Sequence, residues 1–343
     1  MSNQGAQHFR WPVIGHSNIV AYLQNNITND QVSHAYLFVG PDHTGKKTVA
    51  DYFVNSLICA VGNNDQAAIR PCGECQHCRQ FKNGIHPDIF NVDREINDKT
   101  GRLKKNISIE QVRELQDRLN LHSFLNSYKV GIINAAQTLS LEAANSLLKT
   151  LEEPSPQTVM IIIVNHLSQL PRTLVSRCQV INFLPVGTKA ITDYLISQKI
   201  DRKQARNLGS LAFGLPGLAI NYYHDSQQYE LLRERSRELV AILGANLTAR
   251  FKLVGDLLTG LEVDSIQLLL NNWLKTLRDV LLIKCGANHL ISQPFLAGEL
   301  SQVAINYQTE KIMAMIKEIE EAKKMLSANV NNKLTIENLV LNF

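Results

Sequence analysis

The sequence predicts an α/β domain built on a parallel sheet, followed by an all-α region, and three observations carry that expectation. Up to about residue 185, short apolar runs alternate with helical patterns, the signature of a parallel sheet covered on both faces. One run leads through "GPDHTGKK" (Gly40 to Lys47) into a helix, the strand–loop–helix setting of a phosphate-binding loop. Beyond Pro185 the strand-like runs stop and helical periodicity takes over.

Taken in order, Ala35 to Val39 reads as a strand closed by a Gly-Pro turn, and Lys47 to Ala60 as the helix after the loop. Asp88 to Val92, after a His-Pro, is a second short strand. Ser108 caps an amphipathic helix that carries Ile109, Val112, Leu115 and Leu119. "YKVGIINAA" (Tyr128 to Ala136) is a buried strand, "LSLEAANSLLKTLEEP" a helix stopped by Pro154, and Thr158 to Asn165 another buried strand. Short helical patterns fill Thr188 to Tyr223, broken by "FGLPG" at Phe213 to Gly217. From about Tyr229 everything reads as helix. Ile266, Leu269, Leu270, Trp273, Leu277, Val280 and Leu281 keep helical spacing, as do Ile312, Ile316, Ile319 and Leu326, and such stripes are core. Boundaries fall near 186 and 226.

A chain of 343 residues predicts two or three domains. With 45% apolar and 19% charged residues it can bury a core and is not disordered. A net charge of +4 permits nucleic-acid contact without demanding it. No apolar run approaches a membrane span, and Met1 to Arg10 is polar, unlike a signal peptide. The expectation is a soluble cytoplasmic protein with no membrane partner.

Of six cysteines, four fall in "CAVGNNDQAAIRPCGECQHC". Cys72, Cys75 and Cys78 have C-x2-C-x2-C spacing, and Cys59 ends the helix after the loop. Two-residue spacers let a tight loop present successive thiolates to one tetrahedral Zn²⁺. Asn63, Asn64 and Asp65 give the connection turn chemistry, and His77 or His86 could replace a cysteine. The same spacing also serves redox thiols and iron–sulfur ligation. With four protein ligands a zinc site has no open position, so its role would be structural. Cys178 and Cys285 stand alone and read as small buried hydrophobes.

These motifs occur in one order with "HPDIF", "ISIEQVREL", "KVGIINAAQTLSLEAANSLLKTLEEPS" and "LPRTLVSRCQ". In that order the chain resembles the bacterial DNA polymerase III clamp-loader subunits of the AAA+ class. The likeness covers roughly the first 220 residues and returns in the final "LSANVNNKLTIENLVLNF". It implies a RecA-like AAA+ domain with the four-cysteine zinc module (1–186), a small three-helix lid (187–225) and a helical collar for oligomerisation (226–343). It also implies partners: the motor (gamma/tau) and delta subunits through collar and AAA+ faces, and the sliding clamp and primer–template DNA through the assembled complex.

ATP hydrolysis needs Mg²⁺ held by a loop hydroxyl and an acid, with a second acid for water. Gly40, Gly45, Lys46 and Thr48 could still cradle ATP or ADP weakly, through backbone N–H groups and the Lys46 amine. Lys47 stands where the hydroxyl belongs, and Thr48 comes one residue late, turned about 100° along the helix. Where working family members carry Asp-Glu, this chain has Asn134 and Ala135; Gly217 replaces the lid arginine, and Asn165 matches the sensor asparagine. The expectation is no hydrolysis. Ser176-Arg177-Cys178, by contrast, is intact. The bare tripeptide reads more plainly as a surface arginine paired with an acid, but within this motif order Arg177 is the arginine finger for a neighbour's ATP. Lys99, Arg102, Lys104 and Lys105 form a basic loop, solvated by default and suited only to phosphate contact. Two rival readings are an active ATPase motor subunit of the same complex and a zinc-stabilised DNA-binding protein.

Overall fold

A computed structural model describes residues 9–61, 69–97, 101, 103–125, 127–259, 263–328 and 330–343. The chain forms two compact units, residues 1–190 with 215–217, and 191–214 with 218–343.

The first unit opens with α1 (Ser17–Thr28), then runs β1 (Ala35–Val39), α2 (Lys46–Ile58), α3 (Gln76–Lys82), β2 (Ile89–Val92) and α4 (Ile109–Asn120). It continues with β3 (Lys129–Ile133), α5 (Leu141–Glu152), β4 (Thr158–Val164), the short α6 (Arg172–Val175) and β5 (Gln179–Asn182). All strand pairs are parallel, in the order β2-β3-β4-β1-β5. Because successive side chains alternate between faces, β4 sends Val159, Ile161 and Ile163 to one side, where Tyr36, Phe38, Val130, Ile132 and Phe53 pack. Met160, Ile162 and Val164 go to the other, against Leu37, Ile133, Leu115, Leu147 and Leu174. The two-sided core explains why these strands read as continuous apolar runs.

Local rules account for the helix ends. Ser108 makes a full capping box with Gln111, and Val112, Leu115 and Leu119 are buried as the spacing predicts. Ser140 Oγ accepts from Ala143 N at 3.1 Å to start α5, which ends at Glu152, before Pro154. Leu23 and Ile27 of α1 join the sheet core. β5 was not expected. Two of its four residues, Gln179 and Asn182, are exposed on an edge strand, so it lacks the apolar run that marks the others.

Gly40 shows why the turn after β1 needs glycine. Its φ is 152°, and a Cβ there would stand 2.1 Å from the Phe183 carbonyl oxygen. Gly40→Ala should therefore force the β1 and β5 ends apart and destabilise the first unit by about 3 kcal/mol. A denaturation midpoint equal to wild type would refute that expectation.

The second unit is helical: α7 (Thr188–Ser197, which begins in the first unit), α8 (Arg202–Leu211), α9 (Pro216–His224), α10 (Ser226–Gly244), α11 (Leu247–Leu258), α12 (Val263–Lys284), α13 (Ala297–Asn306), α14 (Thr309–Ser327) and α15 (Asn332–Leu341). Its core gathers Ile266, Leu269, Leu270, Trp273, Leu277 and Val280 of α12 with Ile312, Ile319 and Leu326 of α14, the two predicted stripes. Cys285 departs from expectation: it is exposed past the end of α12, where the stripe has run out. Cys178 sits partly buried against the sheet core, and burial pushes its thiol up to about 12.

Candidate functional site

In an open parallel sheet, ligands bind beyond the carboxyl ends of the strands, where the chain order reverses. Here β4 and β5 flank β1, and the motif residues fall at those ends. Gly40 follows β1 and donates its N–H to Val164 O at 3.2 Å, placing Asn165 beside the loop. Asn134 follows β3, and its N–H reaches Val92 O at 2.9 Å, placing Asp93 beside Asn134. A cleft of about 520 Å³ is bordered by Asp42, His43, Gly45, Lys46, Lys47, Thr48, Asp93, Asn134, Ala135, Ile163 and Gly217.

The loop keeps the shape of an anion cradle. Gly45, at φ 99°, precedes α2 without any side-chain cap, so the first N–H groups of that helix open toward the cleft with its positive end. Lys46 is buried and turns its amine onto the Gly40 carbonyl, the Pro41 carbonyl at 2.7 Å and Asn165 Oδ1 at 3.4 Å. Burial holds this ammonium below the usual lysine range, opposed by the Asp42 charge. Asn165 Nδ2 donates to Asp42 Oδ2 at 2.9 Å, so the sensor asparagine is engaged by the loop's own acid.

Lys47 leaves the loop: its amine donates to Asn91 Oδ1 at 2.9 Å and pairs with Asp51 at 3.1 Å. Thr48 is exposed and borders the cleft despite its late position. Asn134 Nδ2 donates to Asp93 Oδ2 at 2.8 Å, and Ala135 takes a left-handed conformation at φ 47°. Asp93 is a cleft acid that motif reading missed; its place one residue past β2 was the available signal. At Gly217 a Cβ would come within 3.1 Å of His43 O, and the Gly217 N–H donates to that same oxygen at 2.9 Å. The glycine lets this backbone close on the loop.

Arg177 lies apart from these residues, just beyond α6. Its Nε donates to Glu152 Oε1 at 2.8 Å, Nη2 reaches the same oxygen, and Nη1 donates to Thr173 O at 2.8 Å. The pairing with an acid that the bare tripeptide suggested is present. Of the basic loop, Lys99 and Arg102 lie outside the described residues. Lys104 pairs with Glu95 at 2.7 Å and Lys105 is exposed, while Ile96 and Leu103 form an isolated antiparallel bridge.

The four cysteines converge. The sulfurs of Cys59, Cys72, Cys75 and Cys78 all lie within 4.8 Å of one another, and Cys72 and Cys78 Sγ are 3.9 Å apart. A tetrahedron with Zn–S of about 2.3 Å has S···S edges of roughly 3.8 Å, so the cluster could hold a metal ion. Backbone N–H groups of Cys72, Cys75 and Cys78 point at Cys59, Cys72 and Cys75 sulfur at 3.5, 3.3 and 3.4 Å, which favours thiolates. A hydrogen bond from Cys78 draws the Cys59 thiol down to about 4. Asn63, Asn64 and Asp65 lie outside the described residues. His77 and His86 pair with each other at 3.1 Å and are not in the sulfur cluster.

Residues 15–187 match the family model described as "DNA polymerase III, delta subunit". The DNA polymerase III subunit delta' of Bacillus subtilis is 30% identical, over 94% of this chain and 94% of that protein. The DNA polymerase III subunit tau of Bacillus subtilis is 34% identical, over 52% of this chain and 30% of its own length. Among solved structures, a DNA polymerase III gamma subunit-related protein from Thermotoga maritima superposes with a TM-score of 0.51 at 17% identity, covering 93% of this chain and 97% of that one. That likeness shows the fold, a parallel-sheet α/β domain followed by helices. No described helix is long and apolar enough to cross a membrane. Full-length similarity to the delta' subunit, with the family match over the sheet domain, places this chain in the DNA polymerase III delta-prime family of clamp-loader subunits.

Proposed function

We propose that this subunit is non-hydrolysing and stator-like, and that it supplies Arg177 to a neighbouring subunit's ATP while the sliding clamp is loaded onto primed DNA. The observation that carries this reading is the chemistry of the cleft. Asn134 and Ala135 stand where two acids are required, and Lys47 has turned to Asp51 and Asn91 instead of offering a metal-binding hydroxyl. Gly40, Gly45, Lys46 and Thr48 would hold ATP or ADP weakly, because the Lys46 amine and Asn165 are already engaged within the loop. Its partners on this reading are the gamma/tau motor and delta subunits, and through the complex the clamp and primer–template DNA, in the cytoplasm. The cysteine cluster would take a structural Zn²⁺ through Cys59, Cys72, Cys75 and Cys78, holding α3 against the end of α2.

The three-part division into 1–186, 187–225 and 226–343 belongs to this proposal. Three helices, α7 to α9, fall between Thr188 and His224, and α10 starts at Ser226, which supports a lid and a collar.

Two measurements test the reading. The isolated chain should show no ATP turnover above background with Mg²⁺ at neutral pH. Mixed with gamma/tau and delta subunits, it should co-elute with them on gel filtration. Turnover by the isolated chain would favour the motor-subunit reading, and failure to co-elute would remove the stator role.

A further inference from the structure

We propose that Glu152 is the positioning residue for Arg177, an inference that rests on the reading of Arg177 as a finger in trans. A finger works only when its guanidinium is held where charge develops on the transferred phosphoryl group. Arg177 is only partly covered: its side chain is 34% exposed and follows a helix of only four residues. What holds its guanidinium is polar. Glu152 Oε1 takes Nε–H at 2.8 Å and one Nη2–H, and Thr173 O takes one Nη1–H at 2.8 Å. The remaining approach, Nη1 to Ser176 Oγ, is long at 3.5 Å.

A guanidinium carries five N–H bonds in a rigid fork. The three short contacts leave one N–H on each terminal nitrogen, the pair suited to bidentate contact with phosphoryl oxygens. The carboxylate therefore grips the inner edge of the fork and leaves the outer edge free. It acts as a tether, and the finger can work without letting go of it.

The placement of Glu152 supports the same assignment. It is the last residue of α5, where the negative end of the helix dipole disfavours a carboxylate, and the Arg177 cation offsets that penalty. Leu147 and Leu151 bury α5 in the sheet core, so the tether is anchored to the rigid part of the unit, whereas Arg177 is on a short connection. Leu151 adjoins Glu152 in sequence, so the helix backbone fixes where the carboxylate begins.

The test uses the complex reconstituted with gamma/tau, delta, clamp and primed DNA, comparing Glu152→Ala, Glu152→Gln, Arg177→Ala and the Glu152→Ala/Arg177→Ala double variant. Glu152→Ala should lower the single-turnover rate of hydrolysis at the adjoining site by about tenfold, with the ATP concentration for half-saturation within about twofold. Glu152→Gln retains an accepting oxygen and should recover most of the rate. The double variant should be no slower than Arg177→Ala alone, since a tether without its finger does nothing.

Glu152→Ala at or above the wild-type rate, with Arg177→Ala impaired, would overturn the inference and leave the finger reading standing. A double variant slower than Arg177→Ala by the full Glu152→Ala factor would also overturn it, by showing that Glu152 acts elsewhere. Arg177→Ala at the wild-type rate would sink the finger reading itself, and this inference with it.

Discussion

Arg177→Ala should slow hydrolysis at the one ATP site this subunit adjoins by about a thousandfold, the low end of what an arginine finger contributes. The measurement is single-turnover hydrolysis in the reconstituted complex. Steady-state turnover should fall less wherever other sites in the complex turn over independently. Clamp loading should fall with it if one slow site stalls the cycle. Arg177→Lys should rescue little, because an ammonium retains charge but lacks the planar fork that meets two phosphoryl oxygens at once. Folding should be unaffected. The Arg177–Glu152 pair is half-exposed, and exposed pairs contribute only about 0.2–1 kcal/mol. A complex carrying Arg177→Ala that assembles and hydrolyses at the wild-type single-turnover rate would exclude the finger.

Cys78→Ala should remove one Zn²⁺ per chain and loosen the segment around α3, by on the order of 3–5 kcal/mol of local stability. Cys78 is the most enclosed of the four, 1% exposed, and its backbone N–H also points at Cys75 sulfur. Alanine keeps that N–H, so what is lost is one thiolate ligand and its 3.9 Å contact with Cys72 sulfur. The loss should stay local. Apart from Phe81, which packs against the edge of one of them, the clusters on both sheet faces are built from side chains outside residues 69–82, so β1, β3 and β4 should keep their protection in hydrogen exchange while α3 loses it. Chelation should reproduce the effect, and so should acidification, since thiols must lose protons to bind the metal. Metal analysis showing no zinc in the purified wild-type chain, with unchanged exchange at α3, would rule out the structural zinc.

Much of this was legible in advance, and the pattern of what was not has physical causes. β1, β3 and β4 are buried on both faces, so their sequences are nearly pure apolar runs. β5 has one covered position among four, too little for periodicity to register. α1 begins at His16 in a left-handed conformation without a side-chain cap, so neither start signal was present. The cleft residues recognised beforehand were those with fixed spacing to a motif. Asp93 and Glu152 were missed for the opposite reason. Each is placed by the register of neighbouring elements: Asp93 by the pairing of Val92 with Ile133, Glu152 by the length of α5. No local pattern encodes a relation of that kind, although the end of a strand or helix is where to look for it.

If the cleft is non-hydrolysing as proposed, the contact between Gly217 and His43 bears on what restoring it would take. A serine in place of Lys47 and acids in place of Asn134 and Ala135 are single exchanges on a backbone already in position. Residue 217 differs, because a Cβ there would stand 3.1 Å from the His43 carbonyl oxygen, which also accepts the residue's own N–H. On that reading, three of the four repairs are matters of side-chain identity alone, and the fourth also asks the neighbouring loop backbone to give by a few tenths of an ångström.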